Sequence, residues 1–122
     1  MVEPARPADL ARERLAGELR AAMKARDAVM VRTVRSLLSA LDNKSAVAMA
    51  PERRPRFERS AEAPRREATA EDIEAVFAGE LAERSAAEAD FERRGLTADA
   101  ARLRDEMAVI RRLWSNRPPR PR

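Results

Sequence analysis

The chain has 122 residues, which is enough for one domain with a modest hydrophobic core. Charged residues make up 38% of it and aromatic residues only 3%. The core must therefore be built from aliphatic side chains and Ala, which favours packed helices over a sheet. The sequence contains no Cys and no His, which excludes disulfides and thiolate metal sites and removes the commonest general base and metal ligand.

The N-terminal residues bear on where the protein resides. Residues 1–9 contain prolines and charges in place of the apolar stretch of a signal peptide. Acidic residues such as Glu3 and Glu13 argue against a mitochondrial transit peptide. No apolar run approaches the roughly 20 residues that a membrane span needs. We therefore expect a cytoplasmic protein with no membrane partner.

The formal net charge of +4 has two interpretations. It could serve an anionic partner such as a nucleic acid. However, only Lys24 and Lys44 of the 25 cationic residues are lysines. Such an excess of Arg, together with abundant Ala, is also what a GC-rich genome produces through codon usage. Composition alone leaves both interpretations open.

Prolines divide the chain into two long proline-free stretches, residues 8–50 and 65–117, each long enough for a helical hairpin. We predict an all-α domain over residues 8–114, with about four helices in two antiparallel hairpins that form a small bundle. Residues 44–68 hold three prolines, many charges and Phe57 without helical periodicity, so we predict a long flexible loop between the hairpins. Residues 115–122 are predicted to be a disordered Pro/Arg tail.

The first hairpin is predicted from its caps and its apolar period. Asp9 is the predicted N-cap of the first helix and Asp27 that of the second. Apolar residues then recur at helical spacing in both helices. These are Ala11, Leu15, Leu19 and Ala22, then Met30, Val34, Leu37, Leu38 and Leu41.

The second hairpin has stronger start and stop signals. Thr69 and Asp72 resemble a capping box, Gly95 suits a left-handed helix terminator, and Thr97 is the predicted cap of the last helix. The predicted core positions are Ile73, Val76, Phe77, Leu81, Ala87 and Phe91, followed by Leu103, Met107, Ile110 and Trp114.

A polar face on the second helix is the best candidate binding surface. It comprises Arg32, Arg35, Ser36, Ser39 and Asn43. Guanidinium groups can grip phosphates bidentately, and hydroxyls and amides add shorter contacts. The alternative is a plain solvated face, and the aromatic residues that single-strand binders use for stacking are scarce.

Catalysis has little support in the sequence. Residues 69–96 carry three arginines against eight acidic residues, but we interpret Glu80, Glu83 and Glu88 as a solvated helix face and not a metal site, since Arg84 lies among them. Glycine occurs only at positions 17, 79 and 95, which excludes a Gly-rich phosphate loop. We expect no catalytic residue, no metal and no small-molecule cofactor.

Two sets of motifs resemble the GatB/YqeY domain family. The first is Ala21-Ala-Met-Lys-Ala-Arg-Asp27 followed by Val31-Arg-Thr-Val-Arg-Ser-Leu-Leu-Ser-Ala-Leu-Asp-Asn43. The second comprises Thr69-Ala-Glu-Asp-Ile73, Glu80-Leu-Ala-Glu-Arg84, Ala89-Asp-Phe-Glu-Arg-Arg-Gly95 and Ala101 to Ile110. At the place of the family's Tyr-Leu-Pro element this sequence reads Leu113-Trp114-Ser115.

The resemblance implies a four-helix domain related to the tail of the B subunit of the tRNA-dependent amidotransferase. At family level it implies a carbon–nitrogen ligase activity with glutamine as amide donor. We expect a non-catalytic accessory module that binds tRNA or a tRNA-handling enzyme, with Lys24, Arg26, Arg32 and Arg35 as candidate nucleic-acid contacts. The alternative is a helical protein-interaction module without nucleic-acid affinity. A free-standing amide ligase is the third possibility.

Overall fold

The computed structural model describes residues 6–47 and 68–119. These residues form four helices and short turns, with no strand among them. The helices are α1 (Pro7–Ala25), α2 (Ala28–Val47), α3 (Ala70–Arg93) and α4 (Thr97–Ser115). The predicted all-α class and the four-helix plan are therefore confirmed.

The α1–α2 turn is a tight reversal of the chain. The backbone N–H of Asp27 donates to the Ala22 carbonyl at 2.9 Å, and that of Arg26 donates to the Met23 carbonyl at 3.2 Å. This is the Schellman pattern that ends many helices, and its left-handed position is occupied by Arg26 with φ of 57°. Asp27 then caps α2 as predicted, since its carboxylate accepts the Met30 N–H at 3.1 Å.

The α3–α4 turn uses the same pattern with glycine. Leu96 N–H donates to the Phe91 carbonyl at 2.9 Å, and Gly95, with φ of 73°, occupies the left-handed position as predicted. At the other end of α3, Thr69 and Asp72 form the predicted capping box.

Two predicted caps are wrong. α1 begins at Pro7, whose missing N–H costs nothing at a first helical position, so Asp9 lies in the first turn and not at the N-cap. The N-cap of α4 is Leu96, whose carbonyl accepts the N–H of Ala100 at 3.1 Å, so Thr97 is the first helical residue.

The core lies between the two hairpins, where α2 and α3 each pack against all three of the other helices. The most completely buried side chains include Val34, Leu37 and Leu41 on α2 and Ile110 on α4. Phe77 and Trp114 pack against each other between α3 and α4 with tilted rings, whose centroids lie 5.1 Å apart and whose planes make an angle of 43°. Of the predicted stripe on α4, Met107 and Ile110 are buried and Leu103 and Trp114 are half-buried.

The connection between the hairpins begins later than predicted. α2 continues through Val47, so residues 44–47 are helical, and Ala68 is buried beside Leu41. The rest of the predicted flexible loop, residues 48–67, lies outside the described residues. No helix within residues 6–47 and 68–119 combines the length and apolar character needed to cross a bilayer.

The start of the predicted disordered tail is held against the bundle. Ser115 belongs to α4, and the Arg117 guanidinium lies over the Trp114 ring at 3.8 Å from its centroid. Arg117 also donates to the Trp114 carbonyl at 2.7 Å. Residues 120–122 lie outside the described residues.

Candidate nucleic-acid interface

A shallow groove of about 590 Å³ runs from the α1–α2 turn onto the outer face of α2. We call it the basic groove, since three of its six lining residues are arginines. It is lined by Met23, Arg26, Ala28, Val31, Arg32 and Arg35. The Asp27 carboxylate caps α2 and offsets the partial positive charge of this helix N-terminus, so the positive charge of the groove comes from its three guanidinium groups.

The basic groove brings together three of the four predicted contact residues, Arg26, Arg32 and Arg35. Arg26 and Arg35 are exposed and form no ion pair with any residue that the structure describes. Lys24 is also exposed, in the last turn of α1, but does not line the groove. The local fold explains the cluster, because Arg32 and Arg35 lie one helical turn apart on α2 and the α1–α2 turn places Arg26 on the same groove.

Arg32 is tied to the protein core. Its Nε donates to Oε2 of Glu106 on α4 at 3.0 Å, and the side chain of Glu106 is 7% exposed. The Arg32 side chain is itself half exposed, and its two terminal amino groups make no hydrogen bond to a described residue. Arg32 is thus a cation with one side fixed by a buried carboxylate and the other side available to a ligand.

Glu106 belongs to a polar network buried between three helices. Arg84 on α3 donates from Nε to Glu106 Oε1 at 2.9 Å and from Nη1 to Glu80 Oε1 at 3.0 Å. The Ser36 hydroxyl on α2 donates to the same Glu80 oxygen. We call these five residues the buried charge network: Arg32, Ser36, Glu80, Arg84 and Glu106. Its two guanidiniums balance its two carboxylates, so no buried charge is left without a partner.

This network corrects the interpretation of α3 as a solvated acidic face. Glu80 and Arg84 are buried, whereas Glu83 is exposed as predicted. The polar face of α2 also differs from a plain surface, since Ser36 is half-buried and bonded to Glu80. The sequence carried a signal for this: Glu80 and Arg84 follow Val76 at successive helical turns, which places both charges on the apolar stripe.

Charge is unevenly distributed between the hairpins. Residues 6–47 hold nine cationic and five acidic residues, whereas residues 68–119 hold eight cationic and eleven acidic residues. On the second hairpin many arginines are neutralised locally. Arg104 binds Glu88 at 2.9 Å and Glu92 at 3.0 Å, and these hydrogen bonds raise the pKa of its guanidinium. Of the two described hairpins, the first is therefore the one with a net charge that attracts anionic groups.

A second groove, of about 490 Å³, lies between α1, α3 and the end of α4. Its lining is mostly apolar and includes Leu10, Ile73, Phe77, Trp114 and Pro118. Arg14 lies at its edge and donates to the Leu113 carbonyl at 2.6 Å, which ties α1 to α4. This apolar groove has the character of a protein-binding or small-molecule surface, and it contains none of the four predicted contact residues.

Comparison with protein-family models, with curated proteins and with solved structures finds no match to this chain. The resemblance to the GatB/YqeY domain family therefore rests on the quoted motifs alone and stays a prediction. Within the described residues, no group of three or more acidic side chains is arranged to hold a metal ion.

Proposed function

We propose that this protein is a non-catalytic accessory module that binds RNA through the basic groove, with tRNA as the RNA that the motif resemblance favours. The observation that carries the proposal is the gathering of Arg26, Arg32 and Arg35 around one groove, where Arg26 and Arg35 form no ion pair with a described residue. Guanidinium groups are the preferred protein partners of phosphate oxygens. Lys24 adds a further exposed cation on the same hairpin.

The charge distribution supports one RNA-binding face. Phosphate contacts supply most of the affinity of such complexes, and each contact releases counterions. The acidic second hairpin repels an RNA strand, so the first hairpin is the side from which RNA approaches. We expect association to be fast at low salt and to weaken steeply as salt is added.

The test is the salt dependence of tRNA binding, measured by fluorescence anisotropy with a tRNA transcript between about 50 and 200 mM salt. The variant is Arg26→Gln with Arg35→Gln, which spares Arg32 and so leaves Glu106 paired. Loss of two phosphate contacts should reduce the slope of log affinity against log salt by about 1.4–1.8. Affinity for all tRNAs should fall alike, because phosphate contacts do not read sequence.

The matched control is Arg93→Gln with Arg94→Gln. These residues are also exposed arginines beside a helix–helix turn, and both pair with Asp90. The control changes the net charge by the same amount on the acidic hairpin. An equal loss of slope in both double variants would show that only total charge matters, and would remove the groove from the proposal.

The alternative function is a helical protein-interaction module, and the apolar groove favours it. A wild-type protein that binds no tRNA even at low salt would leave this alternative in place. In either case we expect the purified chain alone to show no glutamine hydrolysis and no amide transfer. Turnover that survives repurification and is abolished by one point mutation would contradict the non-catalytic part of the proposal.

A further inference from the structure

The basic groove has an apolar half that phosphate binding does not require. Met23, Ala28 and Val31 line it together with the three arginines. Met23 is 52% exposed, and among the described residues only Leu10 and Leu96 are large hydrophobic side chains of comparable exposure. An exposed methionine between guanidinium groups loses contact with water when a flat apolar surface covers it.

One cation of the groove, Arg32, is held in position before any ligand arrives. Arg32 is fixed through Nε by Glu106, so that its two terminal amino groups form a ready pair of donors. Arg26 is fixed at its backbone by the hydrogen bonds of the α1–α2 turn. Because the Arg32 side chain loses little conformational freedom on binding, the site favours a phosphate at one defined position.

We propose that the basic groove binds an unpaired nucleotide, with its phosphate on Arg32 and its base against Met23 and Val31. This inference rests on the proposed function and specifies the form of RNA that the site takes. In a duplex the faces of the bases are stacked on one another and cannot reach Met23. Single-strand binders commonly stack bases on aromatic side chains, and this groove offers Met23 and Val31 in that place as the apolar surface that the flat face of an unpaired base can cover.

Charge alone makes the opposite prediction. A duplex has a higher linear charge density than a single strand, and each neutralised phosphate contributes more to binding, with a slope near 0.9 against about 0.7. A purely electrostatic groove would therefore prefer duplex RNA. A preference for single strands would have to come from contacts with the bases.

The experiment compares four fluorescent probes, of which the three nucleic acids share a length of about 12 nucleotides. They are oligouridylate, its duplex with oligoadenylate, an abasic strand with the same phosphates, and polyglutamate of matched charge. For the wild-type protein we expect oligouridylate to bind more tightly than each of the other three. Met23→Gln should weaken oligouridylate binding roughly fivefold, since about half of a methionine side chain is covered, and should leave the duplex and abasic probes unchanged.

Two pairs of variants, each a groove substitution and a matched substitution outside the groove, separate the loss of a binding contact from an effect on folding. Leu96→Gln changes an exposed apolar residue in the other helix–helix turn, and it should alter no affinity. Arg32→Lys keeps the charge but loses the paired donors, so it should weaken oligouridylate binding more than Arg20→Lys, which alters an exposed arginine outside the groove. Thermal unfolding of each variant identifies any that does not fold.

The outcomes distinguish this inference from the proposed function. Equal or tighter binding of the duplex, together with no effect of Met23→Gln, would overturn the unpaired nucleotide and leave RNA binding intact. No binding of any nucleic acid at low salt would overturn both. Tighter binding of polyglutamate than of oligouridylate would also overturn both, and would identify the groove as a site for an acidic protein segment.

Discussion

Arg84 and Glu106 form a buried ion pair between α3 and α4, with Nε and Oε1 2.9 Å apart and side chains that are 10% and 7% exposed. Arg84 also holds Glu80, so a single guanidinium separates two carboxylates in the core. The pairing gains little net stability over apolar residues of similar size, because both charges lose their hydration. Its clearest consequence is that the helices cannot change register without leaving a charge unpaired.

The first prediction concerns this pair. Arg84→Ala should lower the free energy of unfolding by about 3–5 kcal/mol, because it leaves buried Glu80 without a cation and buried Glu106 with Arg32 alone. Urea denaturation followed by circular dichroism measures the loss. The control is Arg93→Ala, which removes an exposed pair and should cost no more than about 1 kcal/mol.

A triple variant tests whether the cost is due to uncompensated charge. The triple variant combines Glu80→Gln, Glu106→Gln and Arg84→Met. It removes both buried carboxylates together with the guanidinium that pairs with them. It should be more stable than Arg84→Ala alone. A triple variant that is less stable would contradict the charge argument and would indicate that packing by Arg84 dominates.

The elements that local rules specify could be predicted from the sequence. The Thr69 capping box, the Asp27 cap and the left-handed Gly95 each depend on a few neighbouring residues, and all three are confirmed. The apolar period correctly gave Val34, Leu37 and Ile110 as core. These features are local or periodic, which is the information that a single sequence contains.

Contacts between helices could not be predicted. Arg32 was expected as a surface cation, and whether it meets Glu106 depends on how α2 and α4 pack, which no local pattern specifies. The same holds for Glu80. The sequence places it on a charged helix, and its hydrogen bond with Ser36 and its burial beside Arg84 depend on how the helices pack. The basic groove was partly predicted, since Arg32 and Arg35 share a helix face, but the contribution of Met23 requires the α1–α2 turn.

The second prediction concerns the two threonines that sequence patterns assigned as caps. Thr69→Ala should cost about 1 kcal/mol, since the Thr69 side chain accepts the Asp72 N–H at 3.1 Å. Thr97→Ala should change stability by less than about 0.5 kcal/mol, because Thr97 is not the N-cap of α4. Equal losses in the two variants, measured by chemical denaturation, would contradict the observed boundary of α4.

The third prediction concerns the apolar stripe of α4. Met107 is 3% exposed, and Met107→Ala should cost about 2–5 kcal/mol through lost burial and the cavity that remains. Leu103 is only half-buried, so Leu103→Ala should cost clearly less than Met107→Ala. A loss below about 0.5 kcal/mol for Met107→Ala would show that this face of α4 does not pack on the bundle.

The last prediction concerns Arg26, the one described residue other than glycine with a positive φ. The left-handed conformation brings Cβ close to the carbonyl oxygen and costs a residue with a side chain roughly 1–2 kcal/mol. Glycine avoids this cost, but a chain with Gly at this position loses more backbone conformational entropy when it folds. The balance of the two effects predicts that Arg26→Gly stabilises the protein by up to about 1 kcal/mol. Arg26→Val should destabilise it, because a β-branched residue fits this conformation worst.

Arg26 also lines the basic groove, so its stability effect and its binding effect should have opposite signs. Arg26→Gly should raise the melting temperature while weakening tRNA binding and flattening the salt slope by about 0.7–0.9. Such opposition is expected where a strained backbone is retained for the side chain that it carries. If Arg26→Gly raised the melting temperature and left tRNA affinity unchanged, Arg26 would have only a conformational role, and the phosphate contacts would have to come from Arg32 and Arg35.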